Sequence, residues 1–211
     1  MKKKLFIFLD RDGTIDYDKK YHLGHQRNWK SKVRILPNVV KGLKILRKIP
    51  EAKIYMITNQ PGVAIKNFPL LTKRRSEEVC KYILDRLEEK GVKLNGYEVC
   101  GKASPTYVKK RYEFKFNKKL VGNFSCIKPK TGMIDSVLKK EGVKRKEAKI
   151  YVIGDRFSDI KTAENAKGFG IMIPFKNEPR EKEKVEKLKS KNKYIAKDFL
   201  DTARFIVKRE R

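Results

Sequence analysis

Acidic side chains, histidine, cysteine and long apolar runs are all scarce in this sequence, and each shortage excludes something. No apolar run is long enough to cross a bilayer, so no membrane partner is expected. The basic opening Met1-Lys2-Lys3-Lys4-Leu5 reaches Asp10 too soon to act as a secretion signal. The three cysteines, Cys80, Cys100 and Cys126, are sparse and odd in number. They predict a reducing, cytoplasmic setting and argue against a disulfide framework. The two histidines, His22 and His25, have no cysteine near them and read as solvated loop side chains, the other reading being a metal pair. Acidic residues number 25 against 54 lysines and arginines, a formal net charge of +29. Adaptation to heat accounts for a highly charged surface but not for an excess of one sign. A nucleic-acid partner, or steering of a small anionic substrate, accounts for the sign, and composition leaves both open.

A chain of 211 residues suffices for one moderately large domain with a proper core. Its most informative stretch is Phe6-Ile7-Phe8-Leu9-Asp10-Arg11-Asp12-Gly13-Thr14-Ile15, an apolar strand that ends in two carboxylates. Alternate residues of a strand share a face, so Asp10 and Asp12 are expected to point together, with Arg11 pointing elsewhere and Gly13 turning the chain. Two acids at a strand tip are costly unless a cation sits between them or one holds a proton, which are the conditions of a metal or acid/base site. A solvated Asp-Gly turn is the plain alternative.

The pattern recurs. Lys53-Ile54-Tyr55-Met56-Ile57-Thr58-Asn59-Gln60-Pro61-Gly62 is an apolar run ending in small polar groups, and Lys149-Ile150-Tyr151-Val152-Ile153-Gly154-Asp155-Arg156-Phe157-Ser158-Asp159 is another ending in acids. Between these runs, spacing predicts helices over about 37–47, 72–90, 133–141 and 160–166, and one from about 196. Shorter strands are expected at 96–100 and 170–174. Trp29 is expected to anchor the loop that follows the first strand. Residues 102–125 form a basic insert with interleaved aromatics, read either as an exposed hairpin or edge strand, or as a flap that contacts a polyanion. The charged run 178–193 reads as solvated helix or loop and opens a charged C-terminal helical extension. Apolar strands alternating with helices predict an α/β, doubly wound, Rossmann-like fold with a mainly parallel sheet. Such sheets gather ligands at the carboxyl ends of their strands, where all three polar tips lie. Clustered carboxylates without a His/Cys set favour Mg²⁺, which commonly shares a substrate phosphate.

Phe8-Leu9-Asp10-Arg11-Asp12-Gly13-Thr14-Ile15, Ile57-Thr58-Asn59-Gln60, Lys128-Pro129-Lys130-Thr131-Gly132-Met133 and Gly154-Asp155-Arg156-Phe157-Ser158-Asp159 resemble, in order, the four motifs of the haloacid dehalogenase-like (HAD) phosphatases. Within that superfamily the chain is most similar to the small-cap branch of the histidinol-phosphate and D-glycero-D-manno-heptose 1,7-bisphosphate phosphatases. The resemblance implies a single HAD-like domain over 1–211, three layers with no large cap, and an aspartyl-phosphate mechanism. It makes Asp10 the nucleophile and a Mg²⁺ ligand. Asp12 becomes the general acid/base, with its carbonyl on the metal. Thr58 and Asn59 bind the phosphoryl group, Lys128 neutralises its charge, and Asp155 and Asp159 complete the metal site. Arg156, Asp18 and Tyr21 are expected to meet substrate.

Two departures bear on substrate. The heptose enzymes often carry a zinc loop with paired cysteines, of which Cys100 and Cys126 retain one each, so no structural zinc is expected. Ile127 stands where the family has a substrate-binding arginine. The expected activity is a Mg²⁺-dependent phosphomonoesterase of carbohydrate or related metabolism, acting on a small sugar or metabolite phosphate. The alternatives are a nucleic-acid 3′-end phosphatase and a non-catalytic binding module on the same fold.

Overall fold

The computed structural model describes residues 3–17, 22–176 and 178–211. Six strands form its centre: β1 (Lys4–Leu9), β2 (Lys53–Asn59), β3 (Gly96–Cys100), β4 (Ala148–Gly154), β5 (Phe169–Met172) and β6 (Lys193–Ile195). They pair in the order β3-β2-β1-β4-β5-β6, every neighbour parallel. The helices are α1 (Val39–Leu46), α2 (Lys73–Glu88), α3 (Pro105–Lys110), α4 (Gly132–Lys140), α5 (Phe157–Asn165), α6 (Pro179–Glu186) and α7 (Phe199–Glu210).

The central strands are apolar on both sides because helices cover both faces. Leu5, Ile7 and Leu9 of β1, with Ile54, Met56 and Ile153, pack on residues of α1, α2 and α7 such as Leu43, Ile83 and Ala203. The intervening Phe6 and Phe8, with Tyr55, Ile57 and Val152, pack on Ile134 and Val137 of α4 and Ala163 of α5. Thr72 caps α2 by accepting from the Arg75 amide, and Gly91 at φ 77° ends the turn beyond it. Trp29 is buried and meets Tyr82 of α2 edge-on at 5.4 Å, which holds the loop after β1 to the body.

The strand order reverses between β1 and β4. A crevice opens at that point at the carboxyl edge of a doubly wound sheet, because the connections leave β1 and β4 to opposite sides.

Several expectations are corrected. The 102–125 insert is neither a hairpin nor an edge strand. Ser104 caps α3 by accepting from the Tyr107 amide, and Pro105 occupies its first position. Beyond α3, single bridges tie Phe116 to Ile65 and Val121 to Ala103. The insert's aromatics turn inward: Phe114 lies 5.3 Å from Phe68 and Phe116 lies 6.2 Å from Tyr107, while Tyr112 is exposed. Cys100 and Cys126 form a disulfide with Cα atoms 5.5 Å apart, leaving Cys80 as the free, buried cysteine. An odd total says nothing about which two thiols the fold brings together. The 178–193 run is mostly exposed helix and loop, as expected, with Val185 buried against Ile160 and Met172 and β6 beginning at Lys193.

Candidate active site

β1 and β4 end side by side, with Leu9 in register with Ile153, and the Asp10 amide donates to the Ile153 carbonyl at 2.8 Å. Asp10 and Asp155 therefore emerge together at the switch point. Asp159 lies in the first turn of α5, which swings it back to the same place. Two glycines make room. Gly13 sits at φ 79°, and a Cβ there would collide with the Asp155 carboxylate; a Cβ on Gly154 would collide with that of Asp159. The result is a cluster in which Asp10, Asp155 and Asp159, all buried, each place a carboxylate oxygen within 4.8 Å of the others.

Lys128 enters this cluster from the opposite side. Its Nζ lies 2.6 Å from Asp10 Oδ1, 2.6 Å from Asp159 Oδ1 and 3.3 Å from the Ile57 carbonyl. Asn59 anchors the lysine's backbone: the Lys128 amide donates to Asn59 Oδ1 at 3.0 Å, and Asn59 Nδ2 donates to the Lys128 carbonyl at 3.3 Å. The Asn59 side chain, expected on a phosphoryl group, is thus engaged in holding Lys128.

Burial pushes the Asp10 carboxyl up to about 6 despite the opposing pull of Lys128, with Asp159 and Asp12 adding to the rise. Burial, then Asp10 and Asp159, raises Asp155 well above the carboxylate range. Burial disfavours the Lys128 ammonium, yet its two carboxylate partners outweigh that and raise its pKa. Three acids facing one lysine leave negative charge unbalanced, and Asp155 Oδ1 is buried without a hydrogen-bond partner. An all-oxygen donor set with an orphaned carboxylate oxygen fits a hard divalent cation such as Mg²⁺.

Asp12 does not join the cluster. Its Oδ1 accepts from Arg11 Nε at 2.8 Å and lies 2.7 Å from Arg11 Nη2, and its Oδ2 accepts from Gln60 Nε2 at 2.6 Å. The same Gln60 nitrogen donates to Thr58 Oγ1 at 2.8 Å. The expected alternation, with Arg11 turned away from its acidic neighbours, is overturned. The strand ends at Leu9, and the fully buried guanidinium takes Asp12 as its counter-ion, because a buried charge left alone is expensive.

Arg156 lies 3.4 Å from Glu178 and 4.0 Å from Asp155. Asp18 and Tyr21 lie outside the described residues. The histidines are partly buried among aromatic rings and not freely solvated. His22 packs 4.6 Å from Phe68 and 5.9 Å from Phe114, with its Nδ1 buried. Burial, together with His25 and Arg111, lowers its pKa to about 4.

Gln60 and Arg11 were given no role by the sequence reading. The available signal was spacing: Gln60 stands two residues beyond Thr58, where a near-extended chain puts both on one side.

Comparison with known proteins follows the same geometry. A family model described as "HAD-hyrolase-like" matches residues 125–202. The D-glycero-beta-D-manno-heptose-1,7-bisphosphate 7-phosphatase of Haemophilus ducreyi is 31% identical over 163 residues, covering 77% of this chain and 79% of that protein. The histidine biosynthesis bifunctional protein HisB of Blochmanniella floridana is 28% identical over 159 residues, covering 75% of this chain but only 38% of that longer protein. Among solved structures, the D,D-heptose 1.7-bisphosphate phosphatase from B. bronchiseptica, complexed with magnesium and phosphate, has the same fold. Its TM-score is 0.72 at 17% identity, over 99% of both chains. The chain belongs to the HAD-like hydrolases. Within them it is similar to HisB proteins, of which it spans about 40% of the length, and to a heptose-bisphosphate phosphatase.

Proposed function

We propose that this protein is a Mg²⁺-dependent phosphomonoesterase that hydrolyses a small sugar or metabolite phosphate through an aspartyl-phosphate on Asp10. The observation that carries the reading is the placement of Lys128 Nζ at 2.6 Å from both Asp10 and Asp159, inside the acidic cluster at the switch point. A lone ammonium among three buried carboxylates suits a site that accepts a dianionic phosphoryl group together with a divalent cation.

Asp10, Asp155 and the Asp12 carbonyl would hold that cation, with Asp159 supporting it. When bound it supplies positive charge that favours the ionised form of Asp10 and offsets the phosphoryl oxygens. The protein's own groups then divide the work. An Asp10 carboxylate oxygen attacks phosphorus, and the bond from phosphorus to the leaving oxygen breaks. Asp12, carrying a proton at that stage, gives it to the leaving oxygen. Lys128 and the Thr58 hydroxyl hold the non-bridging oxygens through the transfer. Asp12, now a carboxylate, takes a proton from a water that attacks the aspartyl-phosphate. The bond between Asp10 and phosphorus breaks, phosphate leaves, and both aspartates return to their starting states. In the resting structure Asp12 is turned to Arg11 and Gln60, so its carboxyl must loosen from one of them to reach a leaving group.

The test is hydrolysis of a generic aryl phosphate followed by a screen of sugar phosphates, histidinol phosphate and nucleotides. Asp10→Asn is expected to abolish turnover with the fold intact, and EDTA to silence the wild type until Mg²⁺ is restored. Turnover by Asp10→Asn near the wild-type rate would refute the role of Asp10.

A further inference from the structure

The polar side chain that links the acid/base to the phosphoryl-binding hydroxyl is Gln60, which is 2% exposed and sits just past the end of β2. From this position we infer that Gln60 is a positioning residue that fixes both which way the Thr58 hydroxyl points its proton and where the Asp12 carboxylate rests; the inference builds on the phosphomonoesterase reading above.

The argument is one of donors and acceptors. Asp12, held through Oδ1 by Arg11, presents Oδ2 as an acceptor 2.6 Å from the Gln60 amide. The amide must face it with Nε2, because the opposite orientation would set Oε1 against a carboxylate oxygen. That choice commits the second N–H of the same nitrogen, which reaches Thr58 Oγ1 at 2.8 Å. Thr58 therefore accepts from Gln60, and its single hydroxyl proton is left to donate in another direction. Thr58 is buried and directly follows Ile57, whose carbonyl accepts from Lys128 Nζ at 3.3 Å. A hydroxyl already set as a donor needs no reorientation when charge develops on a phosphoryl oxygen, which is the condition for electrostatic preorganisation. The Asp12–Gln60–Thr58 chain also ties the proton shuttle to the phosphoryl donor, so a change at Gln60 disturbs both.

The test uses Gln60→Met, which keeps length and bulk but removes both donors, and Gln60→Glu, which keeps the shape and replaces the amide by acceptors. With an aryl phosphate as substrate, each variant is expected to lose about 30-fold or more in kcat, on the order of one preorganised donor, while KM stays within about threefold. Thr58→Val, costly in the wild type, is expected to cost less when added to Gln60→Met, because part of the hydroxyl's advantage lies in the orientation that Gln60 fixes. A loss that merely reflected damaged packing would multiply with that of Thr58→Val and move KM as well. The proposal is overturned if Gln60→Met or Gln60→Glu turns over within threefold of wild type, or if the losses at 58 and 60 multiply. A wild type that hydrolyses the ester and an Asp10→Asn that does not, alongside unaffected Gln60 variants, would sink this inference alone. An inactive wild type would overturn the phosphatase mechanism and this proposal with it.

Discussion

Replacing Lys128 by methionine removes the one ammonium in the acidic cluster while keeping the side chain's length. Lys128 is 6% exposed and contacts Asp10 and Asp159 at 2.6 Å each, with Asp155 in the same 4.8 Å group. Two bare carboxylates at 4.8 Å repel by roughly 3.5 kcal/mol at an effective dielectric of 20. Breaking a buried ion pair from one side costs about 3–5 kcal/mol, because the stranded charge stays buried. The variant can limit that cost by binding a proton, and this makes the penalty depend on pH. Its folded state then holds more protons than its unfolded chain between the ordinary aspartate range and a raised pKa, so its stability falls as pH rises through that window. Lowering the pH from 7.5 to 5.5 makes one bound proton cheaper by about 2.7 kcal/mol. Wild-type Asp10, raised to about 6, and Asp155, raised well above its ordinary value, recover a part of this over the same range, so the difference is smaller than that figure. Urea denaturation followed by circular dichroism in EDTA should therefore give a loss of about 3–5 kcal/mol for Lys128→Met at pH 7.5, and a smaller loss at pH 5.5. Equal losses at the two pH values, or a loss under about 1 kcal/mol, would refute the claim that Lys128 neutralises buried, ionised acids.

Three further outcomes are expected. Thiol titration of the chain unfolded without reductant should find one free thiol, Cys80, and not three. Breaking the Cys100–Cys126 link, whose partners are 26 residues apart, should cost about 3 kcal/mol in denaturation experiments, with Cys100→Ser then insensitive to reductant. Gly13→Ala places a side chain at φ 79° and against the Asp155 carboxylate. It should cost about 1–2 kcal/mol in stability from the backbone alone and a larger share of turnover, measured on the same aryl phosphate, because the displaced group belongs to the candidate metal site.

What could be read in the sequence was local and periodic. Phe6 and Phe8 alternate with Ile7 and Leu9, and the sheet buries one pair on each face. A run of this kind that ends in Asp10, Thr58 or Asp155 puts the polar tip at the strand's carboxyl end. Asp159 lies near Asp155 because the chain bends at Asp155 and Arg156 straight into the first turn of α5. What could not be read depends on which distant residues meet. Arg11 lies next to Asp12 in sequence, but its burial against Cys80 of α2, 3.9 Å away, is decided by a helix that begins more than sixty residues later. The cysteine pairing likewise requires the end of β3 and the segment before Lys128 to converge, and nothing within either segment announces it. The insert's aromatics alternate as they would along a strand, yet the partners that capture Phe114 and Phe116 come from Phe68 and from α3.

The same distinction explains why the chemistry was easier to place than the substrate. The cluster is assembled by strand ends and by the first turn of α5, elements that each sequence segment specifies by itself. The loop after β1, the turn after β2 and the insert instead fold on one another, through contacts such as His22 with Phe68 and Phe114. His22 belongs to the second set: its imidazole packs on Phe68 and Phe114, and its partial burial disfavours charging. A net charge of +29 describes the field through which an anion approaches, and it does not report where such distant side chains meet.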